Sequence, residues 1–439
     1  MSNDPLTPLE EEERAAILAR PRPTRALPIL DGPYASVAEQ PKRRYLPLAD
    51  ARDTDKQFEP LLAVWEVTLR CDLACRHCGS RAGRARPDEL STEECVDMVK
   101  QLAGIGTREV AIIGGEAYLR DDWTTIIKAI KDHGMRPTMT TGGRGLTKEM
   151  AKAAAEAGMW AVSVSVDGSR ETHDRLRGVK GSYDAAFSAL RNLREAGIHV
   201  ATNTQINRLT MPEMPGMVDK LAEAGIKSWQ IQLTVAMGRA VDEPDVLLQP
   251  YDMLALHPML AELVPAAKKR NIDVVAGNNV GYFGPHETAL RGRTRSGHSG
   301  GCGAGRITIG IEADGTIKGC PSLTTQGWSG GNIRETPLKE IWERSPKLRY
   351  TRDRTVKDLW GYCATCYYAD ECRAGCTWTG DVLFGRPGNN PFCHHRALEM
   401  KKQGVRERIV RVEEAPGLPF DHGKFDIVVE PIPRANDAG

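Results

Sequence analysis

From residue 62 onward, short runs of apolar and β-branched residues alternate with longer stretches whose apolar positions recur every three or four residues. The runs at 62–68, 109–113, 136–141, 160–166, 199–206 and 227–234 predict strands. Between them, residues 91–104, 122–133, 147–157, 182–196 and 213–224 predict amphipathic helices. Gly134, Gly158, Gly197 and Gly225 stand where left-handed helix ends are expected. Six β–α units in succession require a parallel sheet with right-handed crossovers, so the fold class is α/β. Periodicity alone leaves open whether that sheet is flat or curled into a partial barrel. In both arrangements ligands gather at the C-terminal ends of the strands.

A helical run around 251–270 ends this rhythm. Residues 286–400 are rich in Gly and Cys, with one hairpin signal at 307–317 around Asp314-Gly315. This stretch has too little apolar material for a core of its own, so metal clusters are expected to supply much of its stability. Residues 1–60 are rich in Pro and charge, and predict an extended arm with one short helix at 9–19. After an expected helix at 394–403, residues 401–439 read as a loose tail. The expected units are therefore 1–60, 61–285, 286–400 and 401–439.

Composition narrows the function by exclusion. The 439 residues are 41% hydrophobic and 27% charged, ordinary for a globular protein. Lys and Arg number 59 against 58 Asp and Glu, so there is no basic field for nucleic acid. No apolar run approaches the roughly 18 residues of a membrane span, and the acidic N-terminus is unlike a signal peptide. A cytoplasmic protein is expected, with neither nucleic acid nor membrane as partner.

The eleven cysteines change the picture. A chain of this length without an export signal is expected to keep its thiols reduced. Ten of them fall in two groups, which points to metal or iron–sulfur ligation, and Cys95 alone, inside the helical run 91–104, reads as a buried structural residue. The first group, Cys71-Asp-Leu-Ala-Cys75-Arg-His-Cys78, follows the first strand directly. A structural zinc needs four ligands, and no fourth cysteine is near. Three thiolates on one loop suit a [4Fe–4S] cluster with one iron left open to bind a substrate or cofactor.

Gly114-Gly115-Glu116 ends the second predicted strand, and Ser165-Val-Asp167-Gly168 ends the fourth, followed by His173 to Gly178. With the first cysteine group, these motifs resemble those of the radical S-adenosylmethionine (SAM) enzymes. The resemblance implies a partial (β/α)6 barrel. It also implies a cluster whose open iron chelates the amine and carboxylate of SAM and cleaves it to a 5′-deoxyadenosyl radical. By the same resemblance His77 lies near the adenine, and Gly114, Gly115 and Glu116 serve the SAM ammonium. Ser165 and Arg177 meet its carboxylate or ribose, with Arg175 as a reachable competitor to Arg177. The Asn found in many relatives at the third strand is absent, since this chain reads Thr141-Gly142-Gly143. No catalytic base is identified.

The second group reads Cys302, Gly315, Cys320, then Cys363-x2-Cys366-x5-Cys372-x3-Cys376, then Cys393. Cysteine for cysteine, it is similar to the SPASM domain of radical SAM enzymes, which carries two auxiliary iron–sulfur clusters. The resemblance assigns Cys302, Cys320 and Cys376 to the inner cluster, and Cys363, Cys366, Cys372 and Cys393 to the outer. With the first group this makes three [4Fe–4S] clusters. The stretch 296–301 lacks the extra cysteine of some relatives, so the fourth inner position is open, filled by substrate, or taken by a residue such as His298.

The resemblance implies reactions that begin with hydrogen abstraction. Auxiliary clusters give an oxidised substrate radical's electron a way out. The leading expectation is maturation of a ribosomally made precursor peptide by oxidative C–C, C–S or C–O bond formation. A flavodoxin- or ferredoxin-type protein is expected as electron donor. Peptide epimerisation, or modification of a small molecule such as a tetrapyrrole or redox-cofactor precursor, is the alternative. Pro321 stands where sulfatase-type maturases carry an Asp after the cysteine matching Cys320, which argues against that activity. The first 60 residues are too few and too Pro-rich for the peptide-recognition domain of some relatives. Recognition therefore falls to a separate protein, the barrel mouth or the arm.

Overall fold

The structure, a computed structural model, describes residues 15–17, 19, 48–292, 294 and 297–433. Seven strands run parallel in chain order: β1 (Leu62–Thr68), β2 (Glu109–Gly114), β3 (Arg136–Thr141), β4 (Ala161–Ser165), β5 (His199–Ile206), β6 (Ser228–Leu233) and β7 (Asp273–Ala276). Between them lie α1 (Thr92–Gly104), α2 (Trp123–Asp132), α3 (Lys148–Ala157), α4 (Arg170–Arg177), α5 (Ser182–Glu195), α6 (Met214–Glu223) and α7 (Met253–Lys269). The six predicted β–α units are present, as a partial barrel with a seventh strand. The short α4, which starts before His173 and ends at the Gly178 cap, is absent from the sequence reading.

Local chemistry fixes the ends of these elements. Ser91 caps α1 in a reciprocal box with Glu94, and the Thr147 and Ser169 side chains cap α3 and α4. Gly134, Gly158, Gly197 and Gly225 all adopt the left-handed conformation expected of them. Alternation along β1 sends Ala63, Trp65 and Val67 into the main core and Glu66 and Thr68 to the opposite face. Cys95 is buried in that core on α1, its thiol directed at Leu90 O (3.8 Å).

The sheet does not stop at the expected boundary near residue 285. Strand β8 (Thr308–Ile311) pairs in parallel with β1, then continues through antiparallel β9 (Thr316–Lys318) and β10 (Gly331–Asn332). The predicted hairpin is thus an extension of the barrel sheet. Its joint with β1 is a buried charge network. Arg86 meets Glu66 (3.1 Å) and Glu312 (2.9 Å), and Lys318 meets Glu312 (2.7 Å). Leu338, Ile341, Trp342 and Leu348 also enter the main core, so the Cys-rich region is anchored by hydrophobic contact as well.

The loose tail expected after residue 401 is corrected. Strands β11 (Val405–Glu413) and β12 (Lys424–Pro431) form an antiparallel ribbon. Charges that read as a solvated tail are partnered. Glu407 is buried against Arg396 (2.6 Å), and Glu430 is paired with Arg406 (2.7 Å) across the strands. Ile409, Ala415 and Phe425 reach the main core. The loop joining the strands touches the first cysteine loop, where Asp421 accepts from Arg81 (2.8 Å). On its other side Phe420 lies 4.1 Å from the Lys318 ammonium. Of the expected arm, residues 1–14, 18 and 20–47 lie outside the described residues; Ile17 packs against Leu176, Leu209 and Val246.

Residues 48–58 pack on the C-terminal region through Asp55. This fully buried carboxylate meets Arg52 (2.7 Å), Arg349 (3.0 Å) and Arg352 (2.9 Å). Burial alone would raise its pKa, but the guanidiniums hold it below the ordinary value. Asp55→Asn should therefore cost about 3 kcal/mol by leaving buried cations underpaired, read from the urea midpoint. Because the folded pKa lies below the unfolded value of about 3.9, the wild-type contribution is complete at neutral pH. It is lost as pH falls below about 4, so the variant's deficit should shrink there.

Candidate functional site

The loop after β1 carries Cys71, Cys75 and Cys78 and returns to the strand through Cys71 N donating to Gly83 O (3.0 Å). Donors already face its sulfurs. The N–H groups of Leu73 and Ala82 point at Cys71 and Cys78 (3.4 Å each), and the Arg177 guanidinium at Cys75 (3.7 Å). Arg239 braces the same loop by donating to Cys75 O (3.0 Å) and Ala82 O (2.5 Å). No motif marked Arg239 in the sequence.

Gly114 and Gly115 bring the end of β2 directly against this loop. A side chain at either would run into the backbone oxygen of Thr68 or Arg70. Their N–H side is equally engaged, since Gly115 N donates to Thr68 O (2.7 Å) and Glu116 N to Arg70 O (2.8 Å). The close approach these glycines permit is therefore to β1's own backbone. It places Glu116 beside the cluster loop, its carboxylate within 4.8 Å of the Cys71 sulfur and an Asp72 oxygen. Thr141 Oγ1 and Gly142 N (2.7 Å) donate to Glu116, so the Thr141-Gly142-Gly143 turn has a role after all. Burial pushes the Glu116 carboxyl up to about 7.

Arg177, at the end of α4, is buried and pairs with the fully buried Asp167 (2.6 Å). Burial opposes ionisation of Asp167, but Arg177, His77 and His173 hold its pKa below the ordinary value. His77 lies 3.6 Å from the same carboxylate, and burial lowers its pKa to about 4, leaving it neutral. Arg175, the competitor of Arg177, instead donates to Ile17 O. Ser165 is held by Asn203 on β5, which donates to the Ser165 hydroxyl (3.1 Å). Asn203 was missed because in sequence it is one polar residue in an ordinary strand.

The C-terminal cysteines sort into two sets. Burial first and the Cys302 sulfur next push Cys320 up to about 11, and burial with the Cys302 and Cys320 sulfurs pushes Cys376 up to about 12, which groups these three. Cys363, Cys366, Cys372 and Cys393 form the second set, with burial and facing sulfurs pushing Cys393 up to about 12. The second set lines a cleft of about 370 Å³ walled by Tyr282, Phe283, Tyr362 and Tyr368. This aromatic wall was not foreseen. His298, the candidate extra ligand, has Nδ1 bonded to Ser299 O (2.8 Å) and its ring against Phe283.

The ten cysteines fit iron–sulfur clusters better than single ions. A tetrahedral ion with bonds of about 2.3 Å draws its sulfurs to about 4 Å of one another. Among the described residues no three cysteine sulfurs lie mutually within 4.8 Å. The sulfurs are grouped, buried and faced by N–H donors, yet spread widely enough for a larger group.

The two cysteine sets meet in the turn Cys372-Arg373-Ala374-Gly375-Cys376. Arg373 (φ 47°), Ala374 (φ 59°) and Gly375 (φ 57°) are all left-handed. Arg354 clamps the turn by donating to Gly375 O (3.2 Å) and Thr377 Oγ1 (3.2 Å).

Comparison with known proteins gives a family. The profile described as the radical SAM superfamily matches residues 65–223, and that of an iron–sulfur cluster-binding domain, SPASM, matches 302–367. The mycofactocin maturase MftC of Mycolicibacterium smegmatis is 30% identical over 356 residues, 77% of this chain and 85% of that protein. An AdoMet-dependent heme synthase of Methanosarcina barkeri is 29% identical over 353 residues, 77% of this chain and 97% of that protein. Streptococcus suis SuiB, solved with S-adenosylmethionine, superposes with a TM-score of 0.61 at 19% identity, covering 77% of this chain and 76% of that one. SuiB has also been solved with its precursor peptide SuiA (TM-score 0.60).

The left-handed Ala374 generates a test. A Cβ in that conformation costs about 1 kcal/mol relative to glycine. Ala374→Gly should therefore stabilise the fold by about 1 kcal/mol, seen as a higher urea midpoint with iron content unchanged. An unchanged midpoint would show that the turn is unstrained.

Proposed function

Because the chain belongs to the radical SAM superfamily and carries a C-terminal SPASM domain, we propose that it is a maturase. Its reaction abstracts hydrogen from a ribosomally made peptide and ends in an oxidised, cross-linked or otherwise modified product. The observation that carries this reading is the gathering of seven cysteines in two sets joined by one short turn, with Cys302 and Cys320 of the inner set flanking the hairpin that extends the barrel sheet. Such an arrangement suits removal of an electron from the substrate after hydrogen abstraction.

Cys71, Cys75 and Cys78 would hold the SAM-binding cluster, Cys302, Cys320 and Cys376 the inner auxiliary cluster, and the remaining four cysteines the outer one. When bound, the first cluster and SAM supply one-electron cleavage of the sulfonium and the hydrogen-abstracting radical. Glu116, buried and raised to about 7, is a carboxylate that an ammonium at Cys71 would ionise and pair with. Arg177, its charge anchored by Asp167, keeps a guanidinium at the edge of the same loop for a carboxylate. Ser165 and Asn203 present hydroxyl and amide groups at the neighbouring strand ends, suited to a ribose.

A peptide substrate is supported by the maturase relative and by the peptide-bound fold neighbour. The heme-synthase relative, of nearly equal identity, favours a second reading, radical modification of a tetrapyrrole. Reconstituted enzyme given short peptides encoded beside its gene, and porphyrins in parallel, separates the two. The peptide reading expects a peptide product lighter by two hydrogens or by a lost small group. Conversion of the porphyrin alone would overturn it.

Reconstituted wild type should bind about twelve irons in about three clusters. Replacing Cys71, Cys75 and Cys78 together by Ala should remove about a third of that iron and all 5′-deoxyadenosine formation. Cys376→Ala should leave SAM cleavage in place and uncouple it from product. Retained 5′-deoxyadenosine in the triple variant would sink the SAM assignment.

A further inference from the structure

Tyr282 lies outside every cysteine motif, yet it is bonded to a member of each auxiliary set. It is 1% exposed. Its hydroxyl accepts the N–H of Cys376, in the inner set, at 2.9 Å and donates to Asn278 O. Its own backbone carbonyl accepts from the Cys393 thiol, in the outer set, at 3.6 Å and from His395 N at 3.1 Å. The ring fills the inside of the Cys372–Cys376 turn, and a side chain at Gly375 would overlap it. The Arg291 guanidinium, 5.6 Å from the ring centroid, is bonded to Glu287 and to the carbonyls around Tyr282. The whole residue is therefore held from both sides.

We propose that Tyr282 is a positioning residue that fixes the inner cysteine set against the outer one and sets the reduction potential of the inner cluster by withholding the Cys376 N–H from it. The proposal rests on the reading that the seven C-terminal cysteines hold two clusters. Its physical basis is the hydrogen-bond inventory of a cluster. An N–H aimed at a cluster sulfur stabilises the reduced form and raises the potential. In this structure the Cys376 N–H is spent on the Tyr282 hydroxyl. A buried N–H left without that acceptor costs free energy until it finds another, and Cys376 stands among the Cys302 and Cys320 sulfurs that would hold the inner cluster. On the outer side a cluster-bound Cys393 thiolate has no proton to donate, so the Tyr282 carbonyl is held there by the His395 N–H, a bond that no side-chain substitution at 282 removes. The two auxiliary clusters should consequently respond differently to loss of one hydroxyl.

The test is a redox titration of the full chain, loaded with iron and sulfide and followed by electron paramagnetic resonance. The inner signal is assigned as the one lost in Cys302→Ala. Tyr282→Phe keeps the ring against Gly375 and removes only the hydroxyl. The expected result is unchanged iron content, a higher inner potential and an unchanged outer potential. An unchanged inner potential, or equal shifts of both clusters, would overturn the proposal. If Tyr282→Phe fails to load, 3-fluorotyrosine placed at position 282 keeps the hydroxyl and weakens it as an acceptor. It should raise the inner potential by less, and no shift would again overturn the proposal. Failure of the underlying reading is separate, since wild type would then lack the two auxiliary signals before any variant is made.

Discussion

Burial drives the perturbed cysteines of this chain toward the neutral thiol, and the facing sulfurs oppose ionisation further. Cations offset only part of this: Arg177 and Arg239 near Cys75, Lys318 near Cys320 and Arg396 near Cys363 and Cys393. N–H donors at Cys71, Cys78, Cys363 and Cys366 add dipoles. Thiolates in such surroundings need a positively charged group among them, and binding that group is then part of folding. The barrel's strand ends, the hairpin joined to β1 and the strained Cys372–Cys376 turn all bring sulfurs to those positions.

The ends of β2 and β4 beside the first cysteine loop follow a related electrostatic logic with the opposite sign. Asp167 is fully buried and still ionised because Arg177 pairs with it, while His77 beside them stays neutral. Arg177 is thereby fixed as a cation without competing for the Glu116 carboxylate, which the Thr141–Gly142 turn holds on the other side of Cys71. A fixed guanidinium and a carboxyl raised to about 7 flank the first cysteine loop, the second ready to ionise beside a cation.

Much of this was legible in the sequence. The six strands and their helices fall within a residue or two of the periodic runs, because helix caps and left-handed glycines marked their ends. Cysteine spacing identified the groups and the family resemblance implied their interleaving, and in the structure Cys376 faces Cys302 and Cys320 while Cys372 faces Cys363, Cys366 and Cys393. The C-terminal ribbon was hidden because its charges, Glu407 and Glu430 among them, look like solvated tail until Arg396 and Arg406 are placed opposite. Asn203, Arg239 and Tyr282 were unreadable for a common reason. Each acts on a residue distant in sequence, and none sits in a motif whose spacing announces it.

Every step proposed for this protein begins at the Cys71–Cys78 loop, holding a cluster with an iron open to SAM. Electron–nuclear spectroscopy of the reduced, reconstituted enzyme with SAM isotopically labelled at its amino nitrogen tests this directly. A hyperfine coupling between that nitrogen and the cluster spin is the predicted result. A reduced-cluster spectrum that SAM leaves unchanged, with no coupling to the label, would contradict it.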